Sequence, residues 1–405
     1  MTPDAESVRL RLAAWWEANA RDLPWRFGRA TPWGVLVSEV MSQQTQMSRV
    51  VPYWTQWMER WPDAAALAAA PKADVITAWG RLGYPRRALR LQECARVVST
   101  ECGDELPRTY DALIALPGVG DYTASAVMSF AYGERIAVID TNIRRVLARV
   151  FRGEESRGGA ASLLERALAA EVLPKDGAVD DGACGESARR VPRPVSHGDK
   201  PVSRDVSRLS EGNGEADGGT GLTNRDTPRL APVRRREPRS VVWNQSVMEL
   251  GALVCTAKNP LCDHCPVSGD CAFLAAGRPG LGERRTRPRQ RFQGTDRQVR
   301  GIVLKALRDL SFEKAGMVGG RDASVASPVS DPTGPDSVGA PGGGGSVPRM
   351  TTKGVDERVA PRSLPRARVE ELWKDRVQLD ACIAGLDEDG LIEILDDGSL
   401  RLPRG

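Results

Sequence analysis

Four cysteines constrain this chain more than any other feature. Cys255, Cys262, Cys265 and Cys271 follow the spacing C-x6-C-x2-C-x5-C within one short segment. Four thiolates that close together suit an iron–sulfur cluster or a structural zinc ion. Zinc sites are usually built from paired C-x2-C or C-x4-C spacings, so the long first gap points to a cluster. Two disulfides are the alternative. The other cysteines (Cys94, Cys102, Cys184 and Cys382) are scattered, however, as in chains kept in a reducing compartment. His264 lies inside the loop and, with four cysteines available, reads as a neighbour rather than a ligand.

The 405 residues leave room for two domains. Residues 5–151 read as helix after helix, with apolar residues at three-and-four spacing and no convincing period-two run. Helices are predicted over about 5–20, 33–44, 46–61, 72–80, 86–102, 109–115, 121–132 and 141–151, punctuated by Pro24, Pro32, Pro52, Pro71, Pro85, Pro107 and Pro117. From 175 to 238 Gly, Asp, Ser, Arg and Pro dominate and periodicity vanishes, which predicts a disordered insertion. Helical pattern resumes at Val241–Leu250 and leads into the cysteine loop. Residues 296–309 are helical again, and 313–362, which include Gly342 to Gly345, are expected to be a disordered linker. The tail reads as helices over 367–374 and 376–387, then two strands, Leu391–Leu395 and Ser399–Leu402, around the turn Asp396-Asp397-Gly398. The expected architecture is all-α over 1–174 and 239–283, with the cysteine loop at 255–271. A small α+β, winged-helix-like domain over 284–312 and 363–405 follows.

A net charge of +4 and a pI near 8.6 permit a nucleic-acid partner without demanding one. Arginines cluster at 86, 87 and 90, at 144, 145 and 149, and at 284, 285, 287, 289 and 291. Taken singly, each cluster reads as a solvated helix face or linker. The N-terminus lacks an apolar stretch after a basic start, and nothing is long and apolar enough to span a bilayer, so a cytoplasmic location is expected.

Three motifs carry chemistry. Leu116-Pro117-Gly118-Val119-Gly120 separates two helical patterns. Its glycines allow a tight turn and close approach, and the free N–H groups of the next helix could hold a backbone phosphate. An ordinary helix–helix turn is the alternative. Glu39 shares a helix face with Val35, Leu36 and Gln43. Among apolar neighbours its charged form is disfavoured, so its pKa should rise towards neutrality and it could donate a proton; in isolation, a surface glutamate is the commoner reading. Asp140 follows the apolar run 136–139 and precedes a helix, the usual place of an N-cap. Accepting backbone N–H bonds would keep it ionised, able to stabilise a developing positive charge. Gln43-Gln44-Thr45-Gln46 is either a link between helices or a polar wedge for a duplex, and Trp25, Trp33 and Trp79 read as core.

Together, Leu23-Pro24-Trp25-Arg26, the run from Ser38 to Gln46, Leu82-Gly83-Tyr84, Leu116 to Gly120, Asp140-Thr141-Asn142 and the four cysteines resemble the MutY-type adenine DNA glycosylases, a branch of the helix-hairpin-helix glycosylase superfamily. The resemblance covers roughly residues 5–152 and 240–275. It implies a two-lobed helical fold with a [4Fe–4S] cluster on Cys255, Cys262, Cys265 and Cys271. It also implies excision of adenine paired with 8-oxoguanine or guanine in double-stranded DNA by a monomer, held at the nucleoid through DNA. By motif position, Glu39 would protonate the flipped adenine and Asp140 would stabilise the sugar cation. Tyr122 and Asn142 would line the same pocket. Gln43, Gln44 and Tyr84 would face the lesion or the gap in the stack, and the hairpin residues Leu116, Gly118, Val119 and Gly120 would grip the DNA.

An endonuclease III-type pyrimidine enzyme carries a lysine nucleophile two residues after the last hairpin glycine; here that position is Tyr122. A phenol cannot form the Schiff base that strand cleavage needs, so a monofunctional enzyme is expected. A thymine mismatch glycosylase can also carry Tyr there, but Gln43-Gln44-Thr45-Gln46 favours the adenine enzyme. A non-catalytic iron–sulfur DNA-binding protein is the third reading. The chain departs from the resembled pattern at Ser42 and Pro85. It also lacks the pattern of the family's usual pyrophosphatase-like C-terminal domain.

Overall fold

Local chemistry sets where the helices begin. The computed structural model describes residues 3–156, 159–175, 237–283, 292–312 and 362–404. The expected insertion at 175–238 and linker at 313–362 fall, save for their end residues, outside the described residues, as do the arginines from 284 to 291. In chain order the helices are α1 (Ala5–Asn19), α2 (Pro32–Ser42), α3 (Met47–Arg60), α4 (Ala64–Ala68), α5 (Lys72–Trp79), α6 (Arg86–Glu101), α7 (Tyr110–Ile114), α8 (Asp121–Phe130), α9 (Thr141–Leu147), α10 (Leu163–Val172), α11 (Arg239–Leu253) and α12 (Ala272–Ala275). Side-chain oxygens start many of them. Asp4 accepts from the Glu6 and Ser7 N–H groups, Thr31 from Gly34 and Asp63 from Ala66, while Ser162 and Glu165 form a reciprocal capping box. Pro32 sits in the first turn of α2, where no N–H is needed. Pro52, expected to punctuate, lies inside α3; tertiary packing of that helix outweighs the lost hydrogen bond.

Helix α2 is buried from Trp33 to Met41 and forms the axis of the first lobe. Around it pack Trp54, Trp57, Trp61, Trp79, Leu91 and Val98, with Trp25 and Trp33, as the sequence indicated. Each fully buried apolar side chain contributes roughly 1.5–3 kcal/mol. The second lobe joins Val8 and Leu12 of α1, Ile143, Val146 and Leu147 of α9, and Trp243, Val247 and Leu250 of α11. Helix α8 serves both: Ala124 and Val127 enter the first core, Ala126 the second. Its N-terminus therefore opens between the lobes, and that is where the chemistry gathers.

The C-terminal segment comprises α13 (Asp296–Phe312), α14 (Arg366–Glu371), α15 (Arg376–Glu388) and the antiparallel pair β1 (Glu393–Ile394) and β2 (Leu400–Arg401). The register pairs Glu393 with Arg401 and Ile394 with Leu400, and Leu364 bridges Leu400 from the other side. The ladder is shorter than the predicted strands because Leu391, Ile392 and Leu402 serve the core instead of pairing. That core takes in Val299, Val303, Leu307, Leu379 and Leu386, together with Ile76 of α5. No helix among the described residues is long and apolar enough to cross a membrane.

Candidate active site

Glu39 stands near the end of α2 with only 8% of its surface exposed. Burial drives its pKa from 4.5 up to about 7, against the opposing pull of the Tyr122 hydroxyl and of Arg26, with the nearby charge of Asp140 adding to the rise. Tyr122, in the first turn of α8, donates its hydroxyl proton to Glu39 Oε2 at 2.6 Å. Burial, then the Glu39 and Asp140 charges, push the Tyr122 phenol well above its usual value, so it stays neutral and acts as a donor.

Asp140 caps α9. Its Oδ1 accepts the Ile143 N–H at 2.6 Å and its Oδ2 accepts the Asn142 side-chain amide at 2.8 Å. The sequence reading expected these donors to hold the carboxyl down. Burial outweighs them and its pKa is raised; the cleft that buries it is formed by segments distant in sequence. Both carboxyl groups line one cleft of about 1410 Å³, together with Gln43, Gln44, Tyr122 and Asn142. The expected acid and its carboxylate partner thus face a shared space.

The remaining candidates divide. Gln44 is exposed and holds a left-handed φ of 56°, and Tyr84 is 52% exposed at φ 47°. Two non-glycine residues in that strained region on neighbouring loops mark a surface shaped for contact. In the hairpin, Gly118 needs its φ of 77°, and a Cβ there would press on Arg90 Cβ at 3.2 Å. Gly120 meets nothing and opens α8 without a side-chain cap, which leaves first-turn amides facing outward. Leu116 and Val119 are buried in the first core, so their side chains anchor the turn and only their backbone can face a ligand.

Sequence reasoning missed the arginines and Glu249. Arg145 and Arg149, read singly as solvated, reach across to the cysteine loop. Arg145 donates to the carbonyls of Cys255 at 2.8 Å and Gly251 at 2.6 Å, and to Asn142 Oδ1 at 2.9 Å. Arg149 donates to Cys255 Sγ at 3.4 Å and to the Thr256 carbonyl at 2.8 Å. Hydrogen bonds thus run from the cysteine loop through Arg145 and Asn142 to Asp140. Glu249, fully buried, accepts from Arg21 at 2.6 and 2.7 Å and from Arg26 at 2.9 Å. Although burial opposes ionisation, these two guanidinium groups bring its pKa down to about 2. Asn142 apart, the partners of these groups lie a hundred or more residues away, beyond any local pattern.

The four cysteines form no disulfide and line one apolar cavity with Leu250, Val254 and Phe273. The four sulfurs line one space, which fits a cluster whose irons are spread over several ångströms.

Residues 37–171 match the HhH-GPD superfamily of base excision DNA repair proteins, and residues 255–271 match the iron–sulfur binding domain of endonuclease III. An adenine DNA glycosylase of Mycolicibacterium smegmatis is 40% identical over 301 residues, spanning 74% of this chain and 80% of its own. The chain belongs to the adenine DNA glycosylase family. The Mycobacterium tuberculosis adenine DNA glycosylase is 39% identical over 301 residues, covering 74% of this chain and 78% of its own. That of the mouse is 35% identical over 276 residues, 66% of this chain but 42% of the mouse protein. This glycosylase is accordingly a helix-hairpin-helix base-excision enzyme, a hydrolase of N-glycosyl bonds, with a [4Fe–4S] cluster domain at residues 255–271.

Proposed function

We propose that the enzyme removes adenine paired with 8-oxoguanine or guanine from double-stranded DNA by hydrolysis alone, acting as a monomer, without cutting the strand. The observation that carries this reading is the pairing of a Glu39 carboxyl half-protonated near pH 7 with Asp140 in one cleft. Adenine is a poor leaving group until a ring nitrogen gains a proton. Extruded from the stack at a cost of a few kcal/mol, about what unstacking and unpairing require, it would meet Glu39 as the acid. Tyr122 orients that acid by donating to its other oxygen. As the C1′–N9 bond breaks, electrons leave with the base and an oxocarbenium-like sugar remains. Asp140, held by the Ile143 and Asn142 donors, faces that charge. Water then adds to the sugar carbon and gives up its surplus proton to solvent, leaving the abasic sugar.

The same residues support the reading that lyase chemistry is absent. Tyr122 occupies the nucleophile's place with its hydroxyl engaged on Glu39, and no lysine is among the described residues lining the cleft. Gln43, Gln44 and Tyr84 would contact the strand opposite the adenine, while the hairpin backbone at Gly118 and Gly120 grips phosphate. Residues 1–174 and 239–283 would form the catalytic domain, and 284–312 with 363–405 the winged-helix-like one. The cluster, on Cys255, Cys262, Cys265 and Cys271, would supply a structural cross-link; Arg145 of α9 and Arg149 just beyond that helix tie its loop to the rest of the lobe.

The test is incubation of the purified protein with duplexes in which adenine faces each base or 8-oxoguanine, followed by alkali. Alkali-dependent breaks at adenine opposite 8-oxoguanine and guanine are expected. Breaks without alkali would establish a lyase, breaks at thymine a different base specificity, and tight binding without breaks a non-catalytic protein. The same preparation should contain iron and sulfide; stoichiometric zinc would overturn the cluster.

A further inference from the structure

Tyr84 projects from the turn between α5 and α6, and its ring is held by cations from two different parts of the chain. The Arg87 guanidinium lies 5.6 Å from the ring centroid. The Arg297 guanidinium, from the first turn of α13, lies 5.6 Å from it as well. Arg87 is fixed. Its Nη1 donates to the carbonyls of Val40 at 2.7 Å and Gln43 at 2.8 Å, and its Nη2 to those of Gly83 at 3.1 Å and Leu82 at 3.2 Å. It therefore ties the loop carrying Gln43 and Gln44 to the turn carrying Tyr84.

Arg297 differs. It is exposed, and among the described residues no carboxylate pairs with it. Its position is nevertheless set by packing. Val299, Val303, Leu304 and Leu307 of α13 share a core with Ile76 of α5. The Arg308 guanidinium donates to the Gly80 carbonyl, and Asp389 pairs with Arg86 at 3.0 Å while also binding Arg300. The C-terminal segment is thus docked on the helices that flank Tyr84. It delivers a second, uncommitted cation to that ring.

We propose that Arg297 is a positioning residue for Tyr84, so that the C-terminal segment supplies the second arginine of a two-arginine clamp holding the ring for duplex DNA. This rests on the reading that Tyr84 faces the DNA strand opposite the adenine. Two cations held against one ring favour one ring orientation, which lowers the entropy lost when the ring meets bases. The outward N–H groups of Arg297 remain available to a phosphate oxygen.

The experiment uses the full chain and a duplex carrying non-cleavable 2′-fluoro-2′-deoxyadenosine opposite 8-oxoguanine. Arg297→Met should weaken binding roughly three- to tenfold, the range of an exposed cation–π contact plus a phosphate contact. Single-turnover excision at saturating cleavable DNA should fall far less. Arg297→Lys should recover most of the affinity. In a Tyr84→Leu background, most of the effect of Arg297→Met should vanish. An undiminished Arg297→Met effect in that background would overturn the proposal, since the arginine would then act on phosphate alone; so would unchanged affinity in the single variant. If Tyr84→Leu itself binds as tightly as wild type, the reading of Tyr84 falls and the clamp with it. A weakened Tyr84→Leu beside an unaffected Arg297→Met removes only the clamp.

Discussion

Replacing Glu39 with glutamine should abolish activity and add stability in the same molecule. Burial lifts the folded pKa from 4.5 to about 7. With the folded value above the unfolded one, the stability tied to the neutral acid is complete below 4.5 and is lost as pH rises through about 7. Beyond that point an ionised carboxylate occupies a site that disfavours it by about 3 kcal/mol. At 8% exposure the discount for solvent screening is small. Glutamine is neutral at every pH, has the same shape and can accept the Tyr122 hydroxyl. Glu39→Gln is therefore expected to melt several degrees above wild type at about pH 8, with the gap closing towards about pH 5. Single-turnover excision should fall by at least about 10²–10⁴, the contribution of a positioned general acid. Melting curves at both pH values and a rapid-quench assay test the pair of effects. A melting difference independent of pH would refute the burial argument, and wild-type turnover would remove Glu39 from the chemistry.

Asp140→Asn keeps an N-cap residue on α9, so the melting temperature should hold while excision slows by about 10²–10³; normal turnover with lowered melting would leave Asp140 only the cap. Gly251→Ala should gain about 1 kcal/mol of helix propensity. Its Cβ, however, would sit 2.7 Å from Asn142 Cβ and 3.1 Å from the Asn142 carbonyl oxygen. Net destabilisation of about 1–3 kcal/mol and slower excision are expected, because Asn142 holds Asp140; a stabler, fully active variant contradicts this. Glu249→Ala leaves two guanidinium groups facing an emptied buried site, a loss of about 3–5 kcal/mol. The Glu249 pKa is lowered from 4.5 to about 2, so this stability is present above 4.5 and drains as pH falls towards 2. Denaturation of both proteins across that range should show the difference narrowing, and a constant gap argues against the ion pair.

Legibility in the sequence followed the locality of the causes. The raised pKa of Glu39 was readable because its apolar neighbours Val35, Leu36 and Val40 are on its own helix. Long amphipathic helices such as α3 and α6 were found to within a few residues. Helix α4, a run of alanines around one leucine, shows no period, and α10, whose Leu163 is 85% exposed, shows a poor one; both were missed. Asp140 was read by its cap and misjudged by its burial, since the cleft walls come from α2, α8 and α11. The arginines at 144, 145 and 149 looked like a solvated face. Arg144 is in fact paired with Glu165 at 2.7 Å, and the other two bind the cysteine loop. The cysteine spacing, by contrast, states its own geometry and needed no fold to be understood.

The central claim is that a buried, near-neutral acid delivers the proton that releases adenine. The pH dependence of kcat/KM for excision from an adenine:8-oxoguanine duplex tests it most directly, because that ratio reports the free enzyme's essential acid. The rate should fall about tenfold per pH unit above a bend near 7, and fall again on the acid side as Asp140 takes up a proton. A decline with rising pH that already begins near 4.5, the value of an ordinary glutamate, or a rate that climbs through neutrality would contradict the account.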